Sequence, residues 1–216
     1  MTIFNETKLN GFSKLTPSGM FGSGTLTLSS ADITSKEFLF KHHELISDAA
    51  NLKIYSYENK EVVFQTDNYR SHIDFKTRKG HFVSNGDVSE IFFVKNEFKT
   101  EASDFYWDPI DKDIIRMKWD DPYAGTDINK TPARELVDMT TTGNELIATN
   151  PEKKGLKFNA LNASFNFSDN IIHAEGVRFI NVGDAALIPY DGKVTIREKA
   201  EIEKLNYARL VAGREN

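Results

Sequence analysis

Short runs in which apolar and polar residues alternate recur along this chain, and clusters of Gly, Asn, Asp and Lys separate them. A period of two is typical of half-buried β-strands, because neighbouring side chains of a strand point to opposite faces. Segments with a helical period are scarce. The pattern therefore predicts strands along the whole chain, for example at residues 25–28, 61–64, 91–94, 164–167 and 193–196.

The segments between these runs carry the residues that turns prefer. Asn85-Gly86, Ser168-Asp169-Asn170 and Asp191-Gly192 are turn sequences, and the last of them fits either a tight hairpin or a solenoid corner. The glycine-rich segment 19–24 superficially resembles a phosphate-binding loop. A strand pattern follows it instead of a helix, so we interpret it as a turn or bulge.

A weak internal repeat overlies the strand pattern, in which a small residue is followed two positions later by a large apolar one. The first residues of successive pairs are 19, 21, 32, 60, 22 and 23 residues apart. Positions i and i+2 of a strand share a face, so we expect the pairs to point inward and stack. The alternative is that such pairs arise by chance in any β-rich chain. The pairs are Ala31/Ile33, Ala50/Leu52, Ser71/Ile73, Ser103/Phe105, Ala163/Phe165, Ala185/Leu187 and Ala208/Leu210.

One segment, at about 118–144, interrupts the strand pattern. Within it, Thr131 followed by Pro132 has the form of a helix N-cap and first helical residue, which predicts a short helix over 131–139. We therefore predict an all-β fold, a stacked-strand β-solenoid or an open β-jelly roll, with one short helical or loop insertion. Residues 1–216 are expected to form a single elongated β-repeat domain.

Length, charge and cysteine content exclude several classes of protein. The chain has 216 residues, enough for one sizeable core, and its 39% hydrophobic content argues against disorder. Its net charge of −5 gives no basic field for nucleic acid. The lack of cysteine excludes disulfides and thiolate zinc sites.

The sequence has neither a transmembrane segment nor a signal-peptide core. Because the sequence starts and stops within patterned segments, we expect it to be a fragment of a longer protein.

Two groups of polar or aromatic residues could form a metal, binding or catalytic site. His72 and Asp74 share a strand face and His81 lies across a predicted hairpin turn, which could hold zinc, although a cross-strand polar cluster is the commoner outcome. We predict no metal, no cofactor and no catalytic residue.

The second group is an aromatic and acidic segment at 105–123. Its exposed rings could bind a sugar, or its aspartates calcium, or two of the carboxylates could serve in glycoside hydrolysis. The alternative is ordinary packing, with Phe105 and Trp107 inward because they alternate, and aspartates in turns. The candidate glycan-binding residues are Tyr106, Trp107, Trp119 and Tyr123.

The strand-and-turn segments at 156–167, 171–189 and 192–196, the second of which contains Ala174-Glu175-Gly176-Val177, resemble the OstA-like modules of lipopolysaccharide-transport bridge proteins. The segments at 71–84 and 105–108 are similar to parts of large Gram-negative envelope proteins with such repeats. The resemblance implies a periplasmic or surface location and a lipid-conducting or scaffolding role, with lipid or neighbouring β-repeat domains as partners.

Two functional hypotheses follow. The first is a non-enzymatic cell-envelope module, acting as a lipid-transport bridge or as a structural spacer. If it conducts lipid, the inward residues of the repeat would line an apolar groove, namely Ile33, Leu52, Ile73, Phe105, Phe165, Leu187 and Leu210. The second is a carbohydrate-binding or adhesive surface domain that uses the aromatic residues of the 105–123 segment.

Overall fold

A computed structural model describes residues 2–3, 7–86, 89–108, 113–139, 145–153, 155–182 and 185–212. The prediction of an all-β fold with one short helical insertion is confirmed, and every strand pairing is antiparallel. The first six strands form a meander in which each strand pairs with the next. They are β1 (Thr2–Ile3), β2 (Thr7–Thr16), β3 (Gly19–Thr27), β4 (Ala31–Phe40), β5 (Glu44–Tyr55) and β6 (Val62–Asp74).

Beyond β6 the sheet divides into two arms, because the two halves of β6 pair with different strands. Arm A, in order of pairing, is β7 (Lys79–Ser84), β10 (Asp104–Asp108), β11 (Ile114–Lys118), β14 (Asn162–Asn166), β15 (Ile171–Glu175) and β18 (Lys193–Ile196). Arm B is β8 (Ile91–Phe93), β9 (Phe98–Thr100), β12 (Glu145–Ala148), β13 (Lys157–Asn159), β16 (Ile180–Val182), β17 (Ala185–Pro189) and β19 (Ala208–Ala212). Two 3-10 helices occupy Pro151–Lys153 and Glu198–Ala200.

The long strands change direction where their ladders are irregular. The β3–β4 register shifts between Gly22 and Gly24, and the β5–β6 register shifts between Ser47 and Ala50. Such bulges bend a strand and increase its twist. The β5–β6 shift lies next to the point where β6 changes from pairing with β8 to pairing with β7, and the β3–β4 shift confirms the bulge interpretation of the glycine-rich segment.

The core lies between the facing arms and is rich in phenylalanine. Phe64 of β6 stacks on Phe165 of arm A, with ring centroids 5.9 Å apart. Within arm A, Phe82 and Phe105 are nearly parallel at 4.6 Å. Aromatic rings bury more apolar area than any other side chain, so this cluster supplies a large share of the folding free energy.

The turn at Asp191-Gly192 is a corner and not a hairpin, because β17 belongs to arm B and β18 to arm A. The hairpins also alternate between arms: β8–β9 and β12–β13 lie in arm B, whereas β10–β11 and β14–β15 lie in arm A. Of the inward residues of the predicted repeat, Ile33 is the register partner of Leu52, and Leu187 that of Leu210.

The predicted insertion contains helix α1 (Ala133–Asp138), which packs on the outer face of arm B. Leu136 of this helix is fully buried in a small second core with Tyr123, Ile128, Phe179 and Ala186. The predicted threonine cap is wrong: Pro132 occupies the N-cap, and the Thr131 hydroxyl donates to the Asp127 carbonyl. In the described part of the chain, the helices are far too short to cross a membrane.

Candidate functional site

The seven residues predicted to line a groove do not share one environment. Ile33, Leu52, Ile73, Phe105 and Phe165 are at most 3% exposed. Leu187 is half-buried, and Leu210 on the outermost strand of arm B is 67% exposed. Five of the seven are therefore part of the packed core, and an acyl chain would reach them only if the arms separated.

The four residues predicted to form a glycan-binding surface are also divided. Trp107, Trp119 and Tyr123 are buried, so their ring faces contact protein. The indole N–H of Trp119 donates to the Glu101 carbonyl at 2.8 Å, and the Tyr123 hydroxyl donates to Asn159 Oδ1 at 2.8 Å. Tyr106 is 54% exposed, and one face of its ring stacks on His81 with centroids 4.4 Å apart. The structure thus leaves one accessible ring of the four.

The aspartates of the same segment hold loops in place where they are described. Asp113 accepts a hydrogen bond from the Tyr57 hydroxyl at 2.8 Å. Asp121 accepts from the Tyr123 backbone N–H at 3.0 Å and forms an ion pair with Arg178. Residues 109–112, which include Asp111, lie outside the described residues. These contacts match the packing interpretation of the segment.

The two histidines of the candidate zinc group lie on adjacent strands, His72 on β6 and His81 on β7. His72 and His81 are register partners, but each has its own carboxylate: His72 Nε2 lies 3.4 Å from Glu44, and His81 Nε2 lies 3.1 Å from Asp104. Asp74 instead accepts hydrogen bonds from Thr77, which hold the pKa of its carboxyl below the ordinary value. Within the described ranges, no three His, Asp or Glu side chains converge as metal ligands.

A cleft that sequence reasoning did not predict lies between the insertion and the outer side of arm B. Its volume is about 630 Å³, within the range typical of small-molecule sites. Apolar side chains of the insertion and of β17 form part of its wall, including Ile128 and Ile188. Polar residues on its lining include Asp127, Asn129, Arg178, Asp191 and Arg209.

Two exposed tyrosines stand beside this cleft. The Tyr190 backbone N–H donates to the Tyr207 carbonyl at 3.0 Å, so the two residues are cross-strand neighbours at the end of the β17–β19 ladder. Tyr190 is 89% exposed and Tyr207 is 79% exposed, more than any other tyrosine that the structure describes. Tyr190 also lines a second cleft of about 250 Å³, to which Tyr207 contributes.

The guanidinium groups of the cleft are already engaged. Arg209 Nη2 donates to Asn129 Oδ1 at 3.2 Å, and Arg178 pairs with Asp121. These contacts join β19 and the chain before β16 to the insertion, and they hold the two sides of the cleft together. The residues that line the cleft come from five separate parts of the chain, so no local sequence motif predicts the cleft. The one feature of the sequence that indicated this site is Tyr190, an aromatic residue directly before the Asp191-Gly192 turn.

Searches against protein-family models, curated proteins and solved structures found no match for this chain.

Proposed function

We propose that this chain is a non-enzymatic β-repeat module that serves as a structural spacer in the cell envelope. The observation that carries the proposal is the filled interior: five of the seven residues expected to line a lipid groove are buried among phenylalanine rings. A lipid conduit needs an apolar path open to the acyl chain. A spacer needs a packed and stable sheet, which is what this core supplies.

The ends of the sheet support a partner that is itself rich in β-strands. Phe12 and Leu15 are exposed on β2, and Leu210 is exposed on β19. Strand edges with apolar side chains tend to pair with further strands. Neighbouring β-repeat domains of a longer protein would cover them, whereas the envelope location itself rests on the resemblance to OstA-like modules.

The lipid question is tested on protein purified from the cells that produce it. Organic extraction and mass spectrometry should detect no lipid near one molecule per chain, because Phe93 and Phe165 are fully buried in the packed core. A lipid retained in stoichiometric amount would overturn the spacer role in favour of transport.

The location is tested by fractionating the same cells. The protein should be found with the envelope fraction and not with cytosolic markers. An exclusively cytosolic protein would overturn the envelope part of the proposal.

A further inference from the structure

We infer that the cleft between the insertion and arm B is a binding site for a neutral oligosaccharide, with Tyr190 as its aromatic platform. The site differs from the aromatic set expected from the sequence, most of which is buried. It also goes beyond the spacer role, because a spacer needs no ligand.

The exposed tyrosine ring is the first argument. A Tyr side chain normally packs its ring and leaves only its hydroxyl in water. Tyr190 has almost its entire ring exposed, beside a cleft of about 630 Å³. The C–H groups on one face of a pyranose can cover such a ring, which removes the apolar surface from water without burying a charge.

The charge of the cleft is the second argument. Apart from Arg178 and Asp127, which have charged partners outside the lining, the lining has one cation, Arg209, and one anion, Asp191. Opposite charges in equal number leave no net field to attract a phosphate or a carboxylate. Arg178 pairs with Asp121, and Asp127 pairs with Lys130, so the charges of these two lining residues are already compensated. A ligand without charge fits this balance best.

The polar groups supply the third argument. Asn129, Asp127 and Asp191 present amide and carboxylate groups around the cleft. Hydroxyl groups can donate to the carboxylates and accept from the amide, so a polyhydroxylated ligand can satisfy both kinds. Buried apolar residues such as Ile128 exclude water behind it.

The position of Tyr207 favours a chain of sugars over a single sugar. Tyr207 is the cross-strand neighbour of Tyr190, and neighbouring strands lie about 4.8 Å apart. Both tyrosines also line the second cleft of about 250 Å³, so the aromatic surface continues beyond the first cleft. A hexasaccharide should accordingly bind more tightly than the monosaccharide of the same type.

Isothermal titration calorimetry of the full chain tests this inference. The probes are neutral hexasaccharides of glucose in α and β linkage and of N-acetylglucosamine, with a hexamer of galacturonic acid as the charged comparison. At least one neutral hexamer should bind, and the charged hexamer should bind more weakly than it. If no neutral hexamer binds at millimolar concentration, or if the charged one binds best, the inference is overturned.

Variants locate the site. Tyr190→Ala should weaken binding of that hexamer by at least about tenfold, the equivalent of ~1.4 kcal/mol, whereas Tyr190→Phe should retain it. The matched control is Tyr106→Ala, which removes an exposed tyrosine from arm A and should change affinity less than about twofold. Unchanged melting temperatures establish that the variants fold. Binding that survives Tyr190→Ala overturns the site, but it leaves the spacer role to be decided by the lipid extraction.

Discussion

The ring of Phe93 in arm B meets the ring of Phe165 in arm A edge-to-face, with centroids 5.3 Å apart and planes at 67°. Phe165 also stacks on Phe64 of β6, the strand from which both arms diverge. Phe165 therefore contacts both sides of the molecule at the point where the sheet divides. The packing of the arms depends on this cluster, because the ladders among the described residues join the arms only through β6.

Phe165→Ala should destabilise the protein by about 3–5 kcal/mol, the range for truncating a buried phenylalanine. Phe12→Ala is the matched control, because Phe12 is exposed on β2 and the same atoms are removed. We expect it to cost less than about 0.5 kcal/mol. Urea denaturation of the two variants measures the difference. Equal losses would contradict the assignment of Phe165 to the core.

The strand pattern alone was enough to predict the class of fold. The run at 193–196 matches β18 residue for residue, and the interruption at 118–144 contains α1. Phe105 and Trp107 alternate in the sequence and are both buried, as the packing interpretation expected. These features depend on local periodicity, which a single sequence displays directly.

The division into arms could not be predicted, because it depends on which distant strands pair. Asp191-Gly192 has the same turn sequence whether it closes a hairpin or a corner, and the choice is made by the partners of β17 and β18. The cleft has the same origin: Asn129 and Arg209 are 80 residues apart and meet only in the folded chain. The spacing of residues along the sequence does not indicate which distant residues will be in contact.

The bulge in β3 requires glycine. Gly24 has φ +117°, and a Cβ there would lie 2.4 Å from the Asn10 carbonyl oxygen on the paired strand. Gly24→Ala should cost about 1 kcal/mol for the backbone conformation and roughly 1–3 kcal/mol more for the displaced ladder.

Gly86→Ala provides the comparison for that prediction. Gly86 has a similar φ of +109°, but a Cβ there meets no described atom within 4 Å. Gly86→Ala should therefore lower the free energy of unfolding only by the cost of the backbone conformation, about 1 kcal/mol. Thermal unfolding of both variants separates the cost of the backbone conformation from the cost of the steric clash at position 24. A larger loss of stability for Gly86→Ala than for Gly24→Ala would refute the steric argument.

Two buried serines donate hydrogen bonds to a backbone carbonyl group where the β4–β5 ladder is interrupted. Ser35 Oγ lies 2.7 Å from both Ser47 Oγ and the Ala49 carbonyl oxygen. Ser47→Ala should cost about 1–3 kcal/mol, because it removes a partner from a buried polar group. Thr34→Ala breaks a similar hydroxyl pair, with Thr25, on the exposed face and should cost less than about 1 kcal/mol. Chemical denaturation that ranks them in the opposite order would be inconsistent with this role for Ser47.

The turn between β6 and β7 should respond to acid through Asp74. The Thr77 hydroxyl donates to its carboxylate at 2.8 Å, and the backbone N–H groups of Thr77 and Lys76 donate as well. These bonds lower the pKa of Asp74 below its ordinary value of 3.8. Because the folded pKa is the lower one, the stabilisation is present above the unfolded pKa and is lost as pH falls through the folded pKa.

Thr77→Val removes the hydroxyl donor but keeps the side-chain volume and both backbone donors. The pKa of Asp74 should then rise towards its ordinary value, and the acid-dependent part of the stability should shrink. Carboxyl-carbon NMR titration of Asp74 measures the pKa directly. Thr34→Val, on the distant β4, is the control and should leave it unchanged. If the pKa of Asp74 is unchanged in Thr77→Val, the hydroxyl is not the main cause of the lowered pKa. The backbone N–H groups of the turn would then be the main cause.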